Sequence, residues 1–335
     1  MEKTQLKALL LANFRPVAGI DFADTESATR NALIEFYGLK DLSPREIRIH
    51  KDEMFALIEE VLDIELPRAL QERVGQFAEV KNFARDDEVM FKINKKGKRR
   101  AWLTIKKGSR GGIYQAARLD NAYMAMETWV ETVGVFVTLE EIILGKESLV
   151  DLMNNILDGF VERMYVQVIE ALQTAGSYSP AANATTASGF VQASIDPIIR
   201  IIAAYGSPMI LGFRSVVDKI NNIIAAPAYS TATAPNSDLD EIKAQGYVGK
   251  YKGTPVVVLP NYITNEVTNA TWLLDESFLF ILPGDVKPIK VALKGDFYIT
   301  EDVHPTGSKE QNGHKQVGVS LLLSNNIGLY EDTTV

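Results

Sequence analysis

The sequence contains no cysteine and only three histidines, His50, His304 and His314, among 335 residues. The missing thiols exclude a disulfide framework, zinc–thiolate sites, iron–sulfur clusters and thiol nucleophiles, and they suit a reducing compartment. So few imidazoles leave little material for acid–base work near neutral pH. No apolar run approaches the ~20 residues that a membrane-spanning helix needs. The opening segment, Met1 to Lys7 followed by Ala8–Ala12, is too short and too acidic at its head for a secretory signal.

Catalytic patterns are also missing. Gly108-Ser109-Arg110-Gly111-Gly112 is glycine-rich but lacks the strand–GxxxxGK[ST]–helix arrangement, and no G-x-S-x-G elbow occurs. His304 beside Asp302, with His314 ten residues on, matches no metal spacing, and Gly307 and Gly313 predict exposed loop histidines. The carboxylate pairs Glu140/Glu141 and Asp238/Asp240 are explained by capping and solvation. The chain reads as a non-enzyme with no catalytic, cofactor-binding or metal-ligating residues.

What is present is an average globular composition, 46% hydrophobic and 23% charged, long enough for two domains or one composite one. Charge is the unusual part. The net balance is −8, from 35 Lys+Arg against 43 Asp+Glu. Between Val89 and Leu119 there is no acid at all, while Lys92, Lys95, Lys96, Lys98, Arg99, Arg100, Lys106, Lys107, Arg110 and Arg118 supply ten positive charges. The other 304 residues therefore carry 25 minus 43, or −18.

Within this basic segment, Val89–Ile93 and Ala101–Ile105 flank Asn94-Lys95-Lys96-Gly97, which predicts two strands and a turn. A third extended stretch runs from Tyr123 to Thr138, rich in aromatic and β-branched residues. A projecting hairpin of this kind is marginal alone in water and invites a surface to lie on. A solvated charged loop and a nucleic-acid-binding finger are the competing readings.

Elsewhere the pattern is helical first. Asp24–Leu39 places Ala28, Ala32, Leu33 and Phe36 on one side. Ser43-Pro44-Arg45-Glu46 is a capping box opening a helix with Phe55, Ile58 and Leu62 on its face, which Pro67 should end or kink. Thr138–Gly145 predicts a short helical turn. Ser148 caps what reads as the longest helix, with a stripe of Leu149, Met153, Ile156, Phe160 and Met164 and Gly176 as its stop.

A small-residue linker, Ser177–Ser188, leads into an alternating unit. There Asp196-Pro197 opens a helix, Pro208–Phe213 is a strand, and Ser215 to Ile224 is another helix. A second small-residue loop, Ala225–Ser237, precedes Asp240–Ala244. Tyr247–Pro260 predicts a tight hairpin, followed by strands at Thr271–Leu274 and Phe278–Leu282. Lys290–Leu293, Phe297–Thr300 and Val317–Leu323 predict a closing antiparallel group.

That order resembles the major capsid proteins of tailed bacteriophages with the Hong Kong 97-type fold. The segment Gly246-Tyr247-Val248-Gly249-Lys250-Tyr251-Lys252-Gly253-Thr254-Pro255-Val256-Val257 is similar to axial-domain sequence in such proteins, and the likeness of layout runs from Ser43 to the end. The resemblance implies an α+β fold with an N-terminal arm (1–42), a peripheral domain in three pieces (43–85, 131–176 with the spine helix, and 289–335), an extended hairpin loop (86–130) and an axial domain (177–288). It implies a structural protein of the virion capsid, assembled in the host cytoplasm. Hexamers and pentamers would form an icosahedral head around packaged double-stranded DNA bound without sequence specificity. A separate scaffolding protein, a portal and decoration proteins are its implied partners, with no membrane and no cofactor. The ten basic residues above are the candidate inter-subunit contacts. An encapsulin-type compartment, which shares the fold, and a nucleic-acid-binding module are the alternatives.

Overall fold

The computed structural model describes residues 3–13, 22–38, 44–94, 121–135, 149–224, 249–264, 267–285, 287–303, 309–321 and 326–335. Three helices come first: α1 (Lys3–Asn13), α2 (Phe22–Tyr37) and α3 (Pro44–Val74). In α2, Ala32 and Leu33 are buried and Phe36 half-buried, while Ala28 faces solvent. The apolar face of α3 is as expected, with Phe55, Ile58 and Leu62 all buried.

Pro67 does not end α3, which is 31 residues long and continues to Val74. A helix-interior proline costs about 3 kcal/mol. Downstream of it, Leu70 and Val74 are fully enclosed and Phe77 nearly so. Burying each such side chain contributes ~1.5–3 kcal/mol, so together they outweigh the proline. At 30 residues, α4 (Leu149–Tyr178) is therefore not the longest helix, but its stripe of Met153, Ile156, Phe160 and Met164 is buried as the spacing predicts. Gly176 does not stop it. A Cβ there would lie 2.3 Å from Cδ2 of Leu329, so this glycine serves the close approach of a strand rather than a cap.

α3 and α4 pack on a four-stranded sheet of order β1 (Ala78–Phe83), β10 (Ile289–Val303), β11 (Lys309–Leu321), β4 (Trp129–Val135). β1 runs parallel to β10, and the other pairs are antiparallel. The two segments predicted at 290–300 are one strand with an irregularity between Lys294 and Tyr298. There the backbone N–H groups of Phe297 and Ile299 donate to Asp63 (2.8 Å) and Glu59 (2.7 Å) of α3, which repairs the interrupted ladder.

The second sheet has six strands in the order β5 (Ala184–Ala187), β12 (Gly328–Asp332), β9 (Phe278–Pro283), β6 (Pro208–Phe213), β8 (Thr254–Leu259), β7 (Lys250–Tyr251). α5 (Gln192–Ala203) and α6 (Arg214–Ile224) flank it. Two corrections belong here. α5 begins four residues before Asp196, and Asp196 instead accepts hydrogen bonds from Tyr251 (3.0 Å) and Lys252 (2.5 Å). Thr271–Leu274 is not a strand beyond a single bridge, Ile263 to Trp272, because the Asn261 side chain takes both the N–H and the C=O of Leu274. The β7–β8 hairpin is as predicted, with Lys252 (φ 47°) and Gly253 (φ 81°) forming the left-handed pair a two-residue turn requires.

The residues after 289 are divided between the sheets, since β12 pairs with β9 and β5. β1, β5 and β12 have no counterpart in the sequence reading. The predicted helical turn at 138–145, the Asp240–Ala244 segment, the Ser43 cap, the pairs Glu140/Glu141 and Asp238/Asp240, the glycine-rich Gly108–Gly112 and His304 lie outside the described residues.

Candidate subunit-contact surface

The basic segment is rooted in a two-stranded ribbon, β2 (Met90–Asn94) against β3 (Asn121–Ala125), in antiparallel register from Met90–Ala125 to Asn94–Asn121. The partner of β2 is thus 121–125; the predicted partner Ala101–Ile105 lies outside the described residues. The stretch Tyr123–Thr138 is likewise two strands, with β3 given to the ribbon and β4 to the four-stranded sheet.

One side of the ribbon is anchored. Phe91 is fully enclosed and packs with Val89 against Ala292 of β10. The Phe83 ring meets it edge-on at 5.6 Å, and the Lys81 ammonium lies 5.1 Å from its centroid. The other side is open. Met90 and Tyr123 are 41% and 66% exposed there, and Lys92, opposite Tyr123, is exposed too; Met124, paired with Phe91 on the anchored side, is still 48% exposed. Of the ten candidate contact residues, Lys92 is the one within the described residues; Lys95, Lys96, Lys98, Arg99, Arg100, Lys106, Lys107, Arg110 and Arg118 lie outside them.

The four-stranded sheet also has an uncovered region. Its helix-facing side carries Val133 against Gly159, and Phe297 edge-on to Phe160 at 5.4 Å. By strand alternation Val130, Thr132, Tyr298 and His314 point the other way. His314 is no loop residue: it lies in β11, its two ring nitrogens 2.8 Å from the hydroxyls of Thr132 and Thr300, with Tyr298 stacked on it at 4.7 Å. Threonines on both flanking strands hold the ring, which explains its place in the sheet.

The carboxylates of the body are committed to structure. Asp63 accepts from Lys315 at 2.6 Å as well as from the Phe297 N–H, beside a cavity of about 270 Å³ that also touches Asn82 and Asp296. Burial and the neighbouring Asp63 raise the pKa of Glu59, while its bond from Ile299 lowers it. Burial pushes Glu79 up, but Lys290 and Lys81 outweigh it and hold the carboxyl below its ordinary range. Among the described residues no group of His, Asp and Glu could hold a metal ion, and no helix is long and apolar enough to cross a membrane.

A further exposed element went unnoticed in the sequence. The described residues 261–264 and 267–274 carry Ile263, Val267, Trp272 and Leu273, which are 37%, 94%, 47% and 39% exposed. The signal that would have found it is a run without Lys or Arg from Gly253 to Val286, holding Glu266, Asp275, Glu276 and Asp285. It is the inverse of the basic segment.

No curated protein matches this sequence. Among solved structures, the satellite phage P4 procapsid including size determination (Sid) protein is similar over 87% of this chain and 98% of that one, at 10% identity and a TM-score of 0.51. The bacteriophage PhiM1 mature capsid matches over 78% and 86%, at 11% identity and a TM-score of 0.48. The virus-like particle from Pyrococcus furiosus matches over 80% and 98%, at 12% identity and a TM-score of 0.43. The first of these likenesses, at a TM-score of 0.51, gives the expected α+β capsid fold. A family model described as "SPbeta prophage-derived putative capsid protein YonB" matches residues 28–331, nearly the whole sequence. The chain belongs to this family of phage capsid proteins, components of the virion shell.

Proposed function

We propose that this chain is a major capsid protein whose copies form the hexamers and pentamers of an icosahedral head around packaged double-stranded DNA. The basic segment from Lys92 to Arg118 lies on a neighbouring subunit. The observation that carries this reading is the ribbon root. It is pinned to the four-stranded sheet by Phe91 and Val89 against Ala292, it exposes Met90, Tyr123 and Met124, and beyond its own Lys92 it leads into nine further positive charges, on a chain that is −18 outside residues 89–119. A two-stranded ribbon buries too little to be stable by itself. An acidic neighbour offers it both burial and opposite charge.

In this reading 1–42 is the arm, 43–85 and 131–176 with most of 289–335 are the peripheral domain, 86–130 is the extended loop, and 177–288 is the axial domain. Assembly in the host cytoplasm would use a separate scaffolding protein, a portal and decoration proteins. No residue is assigned a catalytic role.

Reversing Lys95, Lys96, Arg99 and Arg100 to Glu tests it. The variant is expected to keep the circular-dichroism spectrum and melting temperature of the isolated subunit while negative-stain microscopy shows no shells. Normal shells from the variant would overturn the role of the segment. Wild-type shells holding a protein cargo in place of DNA would identify an encapsulin-type compartment instead.

A further inference from the structure

We infer that two copies of this chain meet through the open side of the β2–β3 ribbon, laid face to face about a two-fold axis at Met90 and Ala125. The inference rests on the subunit-contact reading above and names one contact that the ribbon makes.

The open side is ordered by charge. In the ladder Lys92 stands opposite Tyr123, and Met90 opposite Ala125. The N–H of Met126 donates to Val89 O at 3.0 Å, which carries the same register one rung further. Strand alternation turns Val89 and Phe91 to the anchored side, where both are buried, and brings Glu88 and Glu127 out beside Met90 and Ala125. Glu88, Met90, Lys92, Tyr123, Ala125 and Glu127 are all exposed. Along this side the ribbon presents an ammonium with a phenol, then methionine with alanine, then two carboxylates.

Within one copy that order is unfavourable. Like charges on opposed positions destabilise a ribbon. Among the described residues Glu88 and Glu127 have no cation as partner and Lys92 has no carboxylate. Glu88 and Lys92 are about 13 Å apart along the strand, with Met90 between them.

A two-fold axis between two facing ribbons, running across the strands at Met90 and Ala125, reverses the order. It sets Lys92 of each copy over Glu88 of the other and Tyr123 over Glu127, about 6–7 Å to either side of the axis. The ammonium then meets a carboxylate, and the phenol O–H has a carboxylate to donate to. The two Met90 side chains fill the middle, where an unbranched thioether adapts to its equal. A face that is positive at one end, apolar in the centre and negative at the other is complementary to itself, so the occupant is a second copy.

Such an isologous contact closes on a pair and does not propagate around a ring. It therefore joins subunits of neighbouring hexamers or pentamers. A few side chains from each ribbon fall well short of the ~800 Å² per partner of a standard interface, so the pairing belongs to assembled shells.

With no native cysteine, one introduced thiol reports the axis. Met90 is 41% exposed and lies outside the buried cluster of Val89, Phe91 and Ala292, so Met90→Cys should leave the subunit folded. In shells of this variant a short bis-maleimide should link most subunits into covalent dimers of this chain, while free subunits stay monomeric. Shells whose subunits remain unlinked, or whose thiols are linked to a different polypeptide, would overturn the pairing. Absence of shells from the wild type would sink the capsid reading together with this one, and is thereby told apart.

The order of the charges gives a second readout. Lys92→Glu and Glu88→Lys should each raise the subunit concentration needed for assembly by roughly tenfold without lowering the melting temperature of the isolated subunit. Combining them should restore assembly. A double variant as impaired as the single ones would mean that Lys92 and Glu88 do not face each other across the contact, and would overturn it.

Discussion

The body of the molecule and the β2–β3 ribbon contain the same kinds of residue but close their charges differently. In the body, Lys290, 7% exposed, reaches Glu79, Lys315, 4% exposed, reaches Asp63, and Lys219 reaches Asp332 at 2.8 Å. Burying a charge is costly unless it is paired and hydrogen-bonded, and these pairs meet that condition inside one chain. The ribbon meets neither condition. Lys92 has no acidic partner among the described residues, and the apolar Met90, Tyr123 and Met124 around it are open to solvent. What a chain satisfies internally sets its own stability. What it leaves unsatisfied on a rigid root is available to another copy.

If the division is real, truncating a body residue should unfold the whole subunit. Phe160 is 1% exposed and lies between α4 and the β10 irregularity, edge-on to Phe297. Phe160→Ala removes an aromatic from a continuous core and should cost ~3–5 kcal/mol. Urea denaturation followed by circular dichroism would check it, with the midpoint lowered and the slope unchanged. A loss below 1 kcal/mol would mean that the core at this point is not continuous.

Next in size is the pair that ties β12 into the six-stranded sheet. The Asp332 side chain is fully enclosed and accepts from Lys219, the Thr334 hydroxyl and N–H, and Gly189 N–H. Burial pushes its pKa up, but these bonds outweigh it and bring the carboxyl from 3.8 to about 2. A depressed carboxylate contributes stability above its unfolded pKa, and that contribution is lost as pH falls through the folded value. Asp332→Ala should therefore cost roughly 2–4 kcal/mol at pH 7, leaving the Lys219 ammonium without its carboxylate and the backbone N–H groups of Gly189 and Thr334 without this acceptor. The gap between wild type and variant should narrow between about pH 4 and pH 2. A gap independent of pH would show that packing, not charge, holds the strand.

The elements that sequence periodicity revealed are those stabilised along one element. The α4 stripe, the β7–β8 turn with Lys252 and Gly253, and the strand at Pro208–Phe213 all follow from local spacing. Those it missed are fixed by distant partners. β1 reads Ala-Glu-Val-Lys-Asn-Phe, with half its residues polar, and becomes a strand only beside β10, more than 200 residues away. β12 is recruited by β9 and β5 in the same manner. Gly176 misled as a helix stop because it serves the approach of Leu329, and of the two outcomes expected at Pro67, an end to the helix is overridden by burial at Leu70. Of the candidate surface, the basic segment was legible as charge. The exposed stretch within 261–274 shows in the sequence only as part of a run without Lys or Arg; its exposure and the clamp at Asn261, thirteen residues from Leu274, are set by tertiary structure.

The finest test of the contrast is Phe91→Ala, since Phe91 is the point where ribbon and body meet. Its cluster is small, with Val89 and Ala292 as the other buried members. Losing the ring should release the ribbon without breaching the main core, so global unfolding should move little while local opening becomes easier by ~1.5–3 kcal/mol. Amide hydrogen exchange would read this as roughly a 10- to 150-fold faster rate at residues 90–94 and 121–125, against unchanged protection in α3 and α4. If protection fell equally in α4, the ribbon would be part of the body's cooperative unit, and its exposed side chains would be ordinary surface. If it fell in the ribbon alone, the shell should still form. The basic segment would then be ordered by its neighbour rather than by its own sheet, and exchange in the ribbon should slow again on assembly.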